Sequence, residues 1–204
     1  MVWVLTDDEV EPARIAAGWG AITARVPGGR AGLSIRNRVL ETRALLELCR
    51  NCVGAGGPVV VSRRVDLACV VDGLGVHLPA GGLPTAEVRR LLPAGRLLLR
   101  AAHDADELRA AAGADAVLVS PVFMPRSHAP VRPPLGNGGL ARLVRLTTTP
   151  VVALGGIRAQ DVSLVRAAGA SGMAVIREAW GAADPAEAVA ALVAAWDAAA
   201  GGLG

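Results

Sequence analysis

Val151-Val152-Ala153-Leu154-Gly155-Gly156-Ile157 is the stretch whose reading decides the fold. Four apolar residues in succession suit a strand covered on both faces, as parallel strands beneath helices are. The run stops at a Gly-Gly pair. A second apolar run, Gly172-Met173-Ala174-Val175-Ile176, begins one helix length later. Paired loops after the last two strands of a β/α chain form the phosphate cup of many (β/α)8 barrels. Gly155 and Gly156 have no Cβ, so their N–H groups can meet an anion at close range. Ile176 and Arg177 would supply the other wall of that cup.

Working outward, the same alternation fills the chain. Strands are expected near Val2–Leu5, Ala21–Arg25, Pro58–Ser62, Leu74–Leu78, Arg96–Ala101, Ala116–Ser120, Pro150–Leu154 and Met173–Ile176, with helices between them. Ile35, Val39, Leu46 and Cys49 recur at helical spacing, and a first helix is expected near Val10–Ala17. Asp104 and Asp184 read as helix N-caps, the second followed by Pro185 at the first helical position and Glu187. Asp7 and Asp8 after the first strand read as cap residues or as catalytic carboxylates. The pattern predicts an α/β fold, a single-domain (β/α)8 TIM barrel over residues 1–204, with a doubly wound open sheet as the competing architecture. No Gly-x-Gly-x-x-Gly follows the first strand, which counts against a dinucleotide fold.

Composition narrows the chemistry. Hydrophobic residues make up 52% of 204, enough for a sizeable core, while aromatics at 2% leave no base-stacking surface. The net charge is +3 and every positive side chain is Arg, since the chain has no Lys. A Lys Schiff base and a P-loop Lys are therefore excluded. The Arg residues are spread over helical segments, so no nucleic-acid partner is expected. Three Cys, two of them in Cys49-Arg50-Asn51-Cys52, fit small buried apolar positions in a reducing compartment. With no leader and no apolar run of membrane-spanning length, a cytoplasmic protein with no membrane partner is expected.

The order of motifs carries a resemblance. Arg64-Val65-Asp66-Leu67-Ala68 is followed by Gly75-Val76-His77-Leu78-Pro79, Gly113-Ala114-Asp115-Ala116-Val117, Ser120-Pro121-Val122-Phe123 and Pro133-Pro134-Leu135-Gly136. Pro150 to Ile157 and Gly169 to Ile176 complete the series. Across nearly the whole chain this resembles the thiamine phosphate synthase and TenI (thiazole tautomerase) family. The resemblance implies a barrel that binds a small thiazole phosphate at its last two loops, and it implies a homo-oligomer, a dimer.

The family's synthase branch joins an aminopyrimidine diphosphate to the thiazole phosphate and holds the leaving diphosphate with Mg²⁺. Its tautomerase branch moves a proton on a thiazole carboxylate phosphate without metal. The synthase's Asn-Asp pair falls on Ser62-Arg63, its second acidic residue on Gly82, and its diphosphate-clamping Lys on His128. Its Gln-x-Arg-Glu-Lys pattern at the end of strand two falls on Thr23 to Pro27, which keeps only Arg25. The segment His77 to Leu83 and Arg100 look more like the tautomerase branch, although Pro121 stands where that branch has its acid/base His. These departures favour a metal-independent isomerase of the tautomerase type. The alternatives are a synthase with a rebuilt diphosphate site and a non-catalytic regulatory binder of thiazole or thiamine phosphate.

Candidate residues follow. His128, His103 and His77 all fall at expected C-terminal strand ends or beyond, where barrel function sits, and imidazole shuttles protons near neutrality. His128 is the first choice for acid/base work, within a Pro- and Arg-rich loop from Met124 to Gly138. Gly155, Gly156, Ile176 and Arg177 would bind phosphate. Arg25, Ser62, Arg63 and Ser127 would meet the substrate's other polar groups. No metal site and no cofactor are expected, with Mg²⁺ entering only under the synthase alternative.

Overall fold

The computed structural model describes residues 1–124 and 132–201. Its eight parallel strands close into a barrel in sequence order, β1 pairing with both β2 and β8. The strands are β1 (Val2–Leu5), β2 (Ala31–Ile35), β3 (Val59–Ser62), β4 (Leu74–Leu78), β5 (Leu98–Ala102), β6 (Ala116–Val119), β7 (Val151–Leu154) and β8 (Gly172–Val175). The helices between them are α1 (Pro12–Arg25), α2 (Thr42–Gly54), α3 (Val65–Val70), α4 (Thr85–Leu91), α5 (Ala105–Ala110), α6 (Gly136–Val144), α7 (Val162–Ala167), α8 (Arg177–Trp180) and α9 (Pro185–Gly201). Consecutive parallel neighbours joined by helices are the arrangement that short right-handed crossovers favour.

Alternation along each strand divides the core in two. Residues facing the barrel axis, among them Trp3, Val60, Leu99, Leu118, Val152 and Ala174, form one cluster. Residues facing outward, such as Val4, Leu33, Ile35 and Val61, pack with the helices in a larger one. Trp3 fills the axis at the N-terminal end because Gly32 on the neighbouring strand leaves room: a Cβ there would lie 2.7 Å from the Trp3 ring. Buried side chains of this size contribute about 1.5–3 kcal/mol each through apolar burial.

Strand two differs from its expectation. Ala21–Arg25 is the end of α1, not a strand. Pro12 occupies its first turn, and Ile15, Trp19 and Ile22 are buried at helical spacing. Trp19 anchors this helix by donating from Nε1 to the Cys52 and Gly56 carbonyls, both at 3.0 Å. The β-branched pair Ile22-Thr23 imitates a strand locally, but tertiary burial of the stripe outweighs that preference. The real second strand begins after Gly28 and Gly29, whose φ angles of 77° and 67° turn the chain.

The expected face through Ile35, Val39, Leu46 and Cys49 holds only in part. Ile35 belongs to β2 and Val39 is 72% exposed; on α2, Cys49 is buried as expected and Leu46 partly so, while Leu45, Leu48 and Cys52 complete the buried face. The two cysteines behave as small apolar residues, burial pushing both thiols up to about 12.

Caps are partly as read. Asp104 accepts from the N–H groups of Asp106 and Glu107 at 3.1 and 2.9 Å, and Asp184 does the same for Ala186 and Glu187. Asp7 and Asp8 cap no helix. Asp7 accepts from the Glu9 N–H, and Asp8 holds the Arg38 N–H and Nε, both at 2.7 Å. Those contacts, the backbone one foremost, keep the Asp8 carboxyl below its usual range.

No helix among the described residues is long and apolar enough to cross a membrane.

Candidate active site

At the C-terminal ends of the strands lies a cavity of about 580 Å³, a volume suited to a small organic ligand. Its wall is built from strand ends and the loops after them: Arg36 after β2, Ser62 and Arg63 at β3, His77 and Pro79 at β4, His103 after β5 and Ser120 after β6. Gly155, Gly156 and Arg158 after β7 and Ile176 and Arg177 after β8 close the ring. Most site residues expected from sequence therefore converge on one space. Ser127 and His128 lie outside the described residues. Arg25 does not join the cavity: it sits exposed in the last turn of α1, because the segment expected to be strand two is helix.

The β7 and β8 side is rich in bare amides. Among the described residues, the N–H groups of Gly155, Gly156, Ile176 and Arg177 have no backbone acceptor. Gly155, Gly156 and Ile176 are half-buried and line the cavity. The glycines have a further reason to be glycine. Gly155 and Gly156 have φ of 101° and 65°, and a Cβ would lie 2.8 Å from the Pro121 Cα or 2.6 Å from the Met124 carbonyl oxygen. The loop after β6 rests directly on them, Phe123 donating its N–H to the Gly155 carbonyl at 2.9 Å. Close backbone packing demands glycine here as much as ligand approach does. Arg177 reaches away from this cup to Glu9, at 2.7 Å.

The opposite side is cationic. Strand register sets Ile35 against Val61 and Ser62 against His77, so Arg36, Ser62 and His77 stand side by side at the rim. Arg63 follows with φ 67°, the single positive φ at a non-glycine among the described residues. A left-handed arginine costs about 1–2 kcal/mol and persists only where its surroundings impose it. The imposing contacts are its N–H to the His77 carbonyl at 3.0 Å and its carbonyl to the Val65 N–H at 3.1 Å.

The two described imidazoles differ. His77 is 8% exposed and its Nδ1 meets the Ser34 hydroxyl at 3.0 Å. Its Nε2 is buried and has no hydrogen-bond partner among the described residues. Burial first, and the Arg36 charge second, push its pKa down to about 4. His77 is thus a neutral hydrogen-bonding group and not a proton carrier near neutrality, which corrects the catalytic expectation for it. His103 is held by Glu107, whose Oε2 meets both its Nδ1 and its backbone N–H at 2.7 Å. Glu107 also takes Arg132 Nη2 at 2.9 Å, while Arg132 Nη1 reaches Asp104 at 3.0 Å. This network ties the returning end of the loop after β6 to the start of α5.

Arg100 points away from the cavity. Its guanidinium donates to the Leu83 carbonyl at 2.7 Å, the Ala80 carbonyl at 2.8 Å and the Thr85 hydroxyl at 3.1 Å. It fixes the loop between β4 and α4, including the Pro79-Ala80 wall, and touches no ligand space.

The donor set does not fit a divalent cation. Magnesium takes hard oxygen ligands, usually carboxylates. Glu178 is the sole carboxylate on the cavity wall, and no cluster of three or more His, Cys, Asp or Glu able to hold a metal occurs among the described residues. Residues 125–131 contain no Asp or Glu.

The expectation of strand two hid a residue pair. With β2 ending at Ile35, the family's Gln-x-Arg-Glu-Lys pattern falls on Ser34-Ile35-Arg36-Asn37-Arg38, and both of its cationic positions are filled by arginine. The readable signal was the alternation Gly32, Ser34, Arg36 on one face.

Comparison with known proteins agrees with this geometry. The family model for thiamine monophosphate synthase matches residues 8–179. A thiamine-phosphate synthase of Anaeromyxobacter dehalogenans is 39% identical over 94% of this chain and 84% of that protein. The thiamine-phosphate synthase of Shouchella clausii is 31% identical over 96% of both. The solved thiamine phosphate pyrophosphorylase of Pyrococcus furiosus superposes with a TM-score of 0.79 at 25% identity, covering 100% of this chain and 96% of that one. These relatives overturn the isomerase expectation, since they are named as synthases, which are transferases.

Proposed function

Because this chain belongs to the thiamine monophosphate synthase family, we propose that it is a transferase joining an aminopyrimidine diphosphate to a thiazole phosphate to give thiamine phosphate. The observation that carries this reading is the two-sided cavity. Free amides at Gly155, Gly156 and Ile176 suit a phosphate monoester, and Arg36 and Arg63 across the cavity suit a second anionic group. A carboxylate could also meet those arginines, and the choice of the diphosphate follows from the relatives, which are named as synthases. Between the poles the wall is Leu5, Ala101, Leu154 and Ala174, an apolar floor for two flat rings.

In the joining step the thiazole nitrogen supplies the electron pair of the new carbon–nitrogen bond. The diphosphate leaves with the pair from its carbon–oxygen bond. The ring gains one positive charge and the leaving group one negative, so no proton is needed for balance. The neutral His77 and the tethered His103 orient polar groups of the substrates. Holding both reactants in one dry pocket removes much of the entropic barrier to their meeting.

The test is direct. Purified protein is incubated with both substrates, with and without Mg²⁺, and thiamine phosphate is quantified by chromatography. Formation above the enzyme-free control in either condition supports the reading, and its absence in both rejects it.

A further inference from the structure

We propose that Arg63, together with Arg36, binds the substrate's diphosphate directly and stands in for a divalent cation. The inference rests on the transferase reading of the same cavity and adds how its anionic leaving group is held.

Charge is the first argument. A carboxylate at position 63 repels a diphosphate unless a metal ion bridges them. An arginine there reverses the relation and meets phosphate oxygens through paired N–H donors. One Mg²⁺ carries two positive charges, and two guanidinium groups carry the same. Neither Arg36 nor Arg63 has a carboxylate partner among the described residues, whereas Arg38, Arg64, Arg132 and Arg177 are each paired with one. Of the arginines on the cavity wall, Arg132 and Arg177 are paired, while Arg36, Arg63 and, after β7, Arg158 have no carboxylate partner among the described residues; two of these three stand together at the ends of β2 and β3.

Geometry is the second. The left-handed backbone at Arg63 is pinned from both sides, by His77 and Val65, so the side chain leaves the strand at an imposed angle on the cavity wall. A strained residue held this firmly at a cavity points to use of its side chain.

The third is an unmatched polar atom. His77 Nε2 is buried and has no hydrogen-bond partner among the described residues, with Ser62 beside it in register. Such atoms are rare in folded proteins unless a ligand or water completes them. With the Ser34 hydroxyl donating to Nδ1, the ring proton sits on Nε2, on a residue of the cavity wall. A neutral ring adds that donor without repelling the two guanidinium groups.

When the carbon–oxygen bond breaks, negative charge grows on the departing oxygen. Guanidinium groups at the cavity wall stabilise that charge by charge-assisted hydrogen bonds. The bonds made and broken are those of the transferase step, and no further reactant enters.

The experiment titrates the full-length protein with inorganic pyrophosphate in EDTA by calorimetry, beside thiamine phosphate formation with and without Mg²⁺. Arg63→Gly is the test variant, because glycine accepts the local φ and should fold. Pyrophosphate should bind wild type in EDTA and bind Arg63→Gly about tenfold or more weakly, from loss of one charge-assisted contact. Thiazole phosphate should bind both proteins alike. Thiamine phosphate should form in EDTA. Pyrophosphate binding that appears only after Mg²⁺ is added, or equal binding by Arg63→Gly, overturns the proposal. Product formed only with Mg²⁺ also overturns it, while leaving the transferase reading intact. Arg63-dependent pyrophosphate binding with no product in either condition upholds the anion site and removes the transferase reading alone.

Discussion

The N–H of Arg63 donates to the carbonyl of His77 at 3.0 Å, and this bond fixes the one left-handed non-glycine residue among those described. Strain and binding are thereby located in the same residue. Replacing it with glycine removes the strain and keeps the bond. Arg63→Gly is expected to raise the stability of the folded protein by about 1 kcal/mol, measured by urea denaturation. A variant less stable than wild type would show that the guanidinium makes a structural contact.

His77 makes stability depend on pH. Its folded pKa lies near 4, below the ordinary value of 6.5. The unfolded chain therefore binds this proton more readily. Stability is unaffected above pH 6.5, falls as pH drops from there toward 4, and levels off for this group below 4. The loss is on the order of 3 kcal/mol at 1.36 kcal/mol per unit. His77→Gln should lack that component of the acid slope in a pH series of denaturation curves.

Gly156 tolerates nothing larger. An added methyl would sit 2.6 Å from the Met124 carbonyl oxygen at a φ of 65°. Gly156→Ala is expected to destabilise by roughly 1–3 kcal/mol and to displace the loop after β6. Thiazole phosphate affinity should fall with it, read by calorimetry. Unchanged stability and affinity would contradict the packing described.

Arg100 is a positioning residue. Arg100→Met keeps the stem and leaves the Ala80 and Leu83 carbonyls and the Thr85 hydroxyl without their donor. A loss of about 0.5–1.5 kcal/mol is expected, since the Ala80 and Leu83 carbonyls are partly exposed and water can replace the lost donor. The freed Pro79-Ala80 wall should raise KM for the pyrimidine substrate more than it lowers kcat. A drop confined to kcat would place Arg100 in the chemistry instead.

The thiols should sort by burial. Cys69 is exposed and Cys49 and Cys52 are buried. A thiol reagent at pH 8 should label only Cys69 in the folded protein and all three cysteines after denaturation. Labelling of Cys49 or Cys52 in the native state would reveal local opening of α2.

Much of the barrel was legible because its strands are short apolar runs cut by glycine, as at Val151–Leu154. Seven of the eight expected strands overlap observed ones, with edges shifted by a residue or two. The exception, Ala21–Arg25, misled because Ile22 and Thr23 look β-like alone, while the stripe that makes them helical begins at Ile15. That single error carried into the site, putting Arg25 forward and concealing Arg36. The tautomerase preference rests mainly on other positions, the departures at Ser62, Arg63, Gly82 and His128 and the segment His77 to Leu83 with Arg100. Missing carboxylates at Arg63 and Gly82 were read as missing function, with the cationic end of β2 out of view. The partner of Arg100 could not be read either, since a buried arginine bonding loop carbonyls leaves no periodic trace.

The Trp3 ring lying on Gly32 stoppers the barrel at its base. With that end of the axis taken up by the indole, the space left for a ligand is confined to the opposite half, over Leu5, Ala101, Leu154 and Ala174.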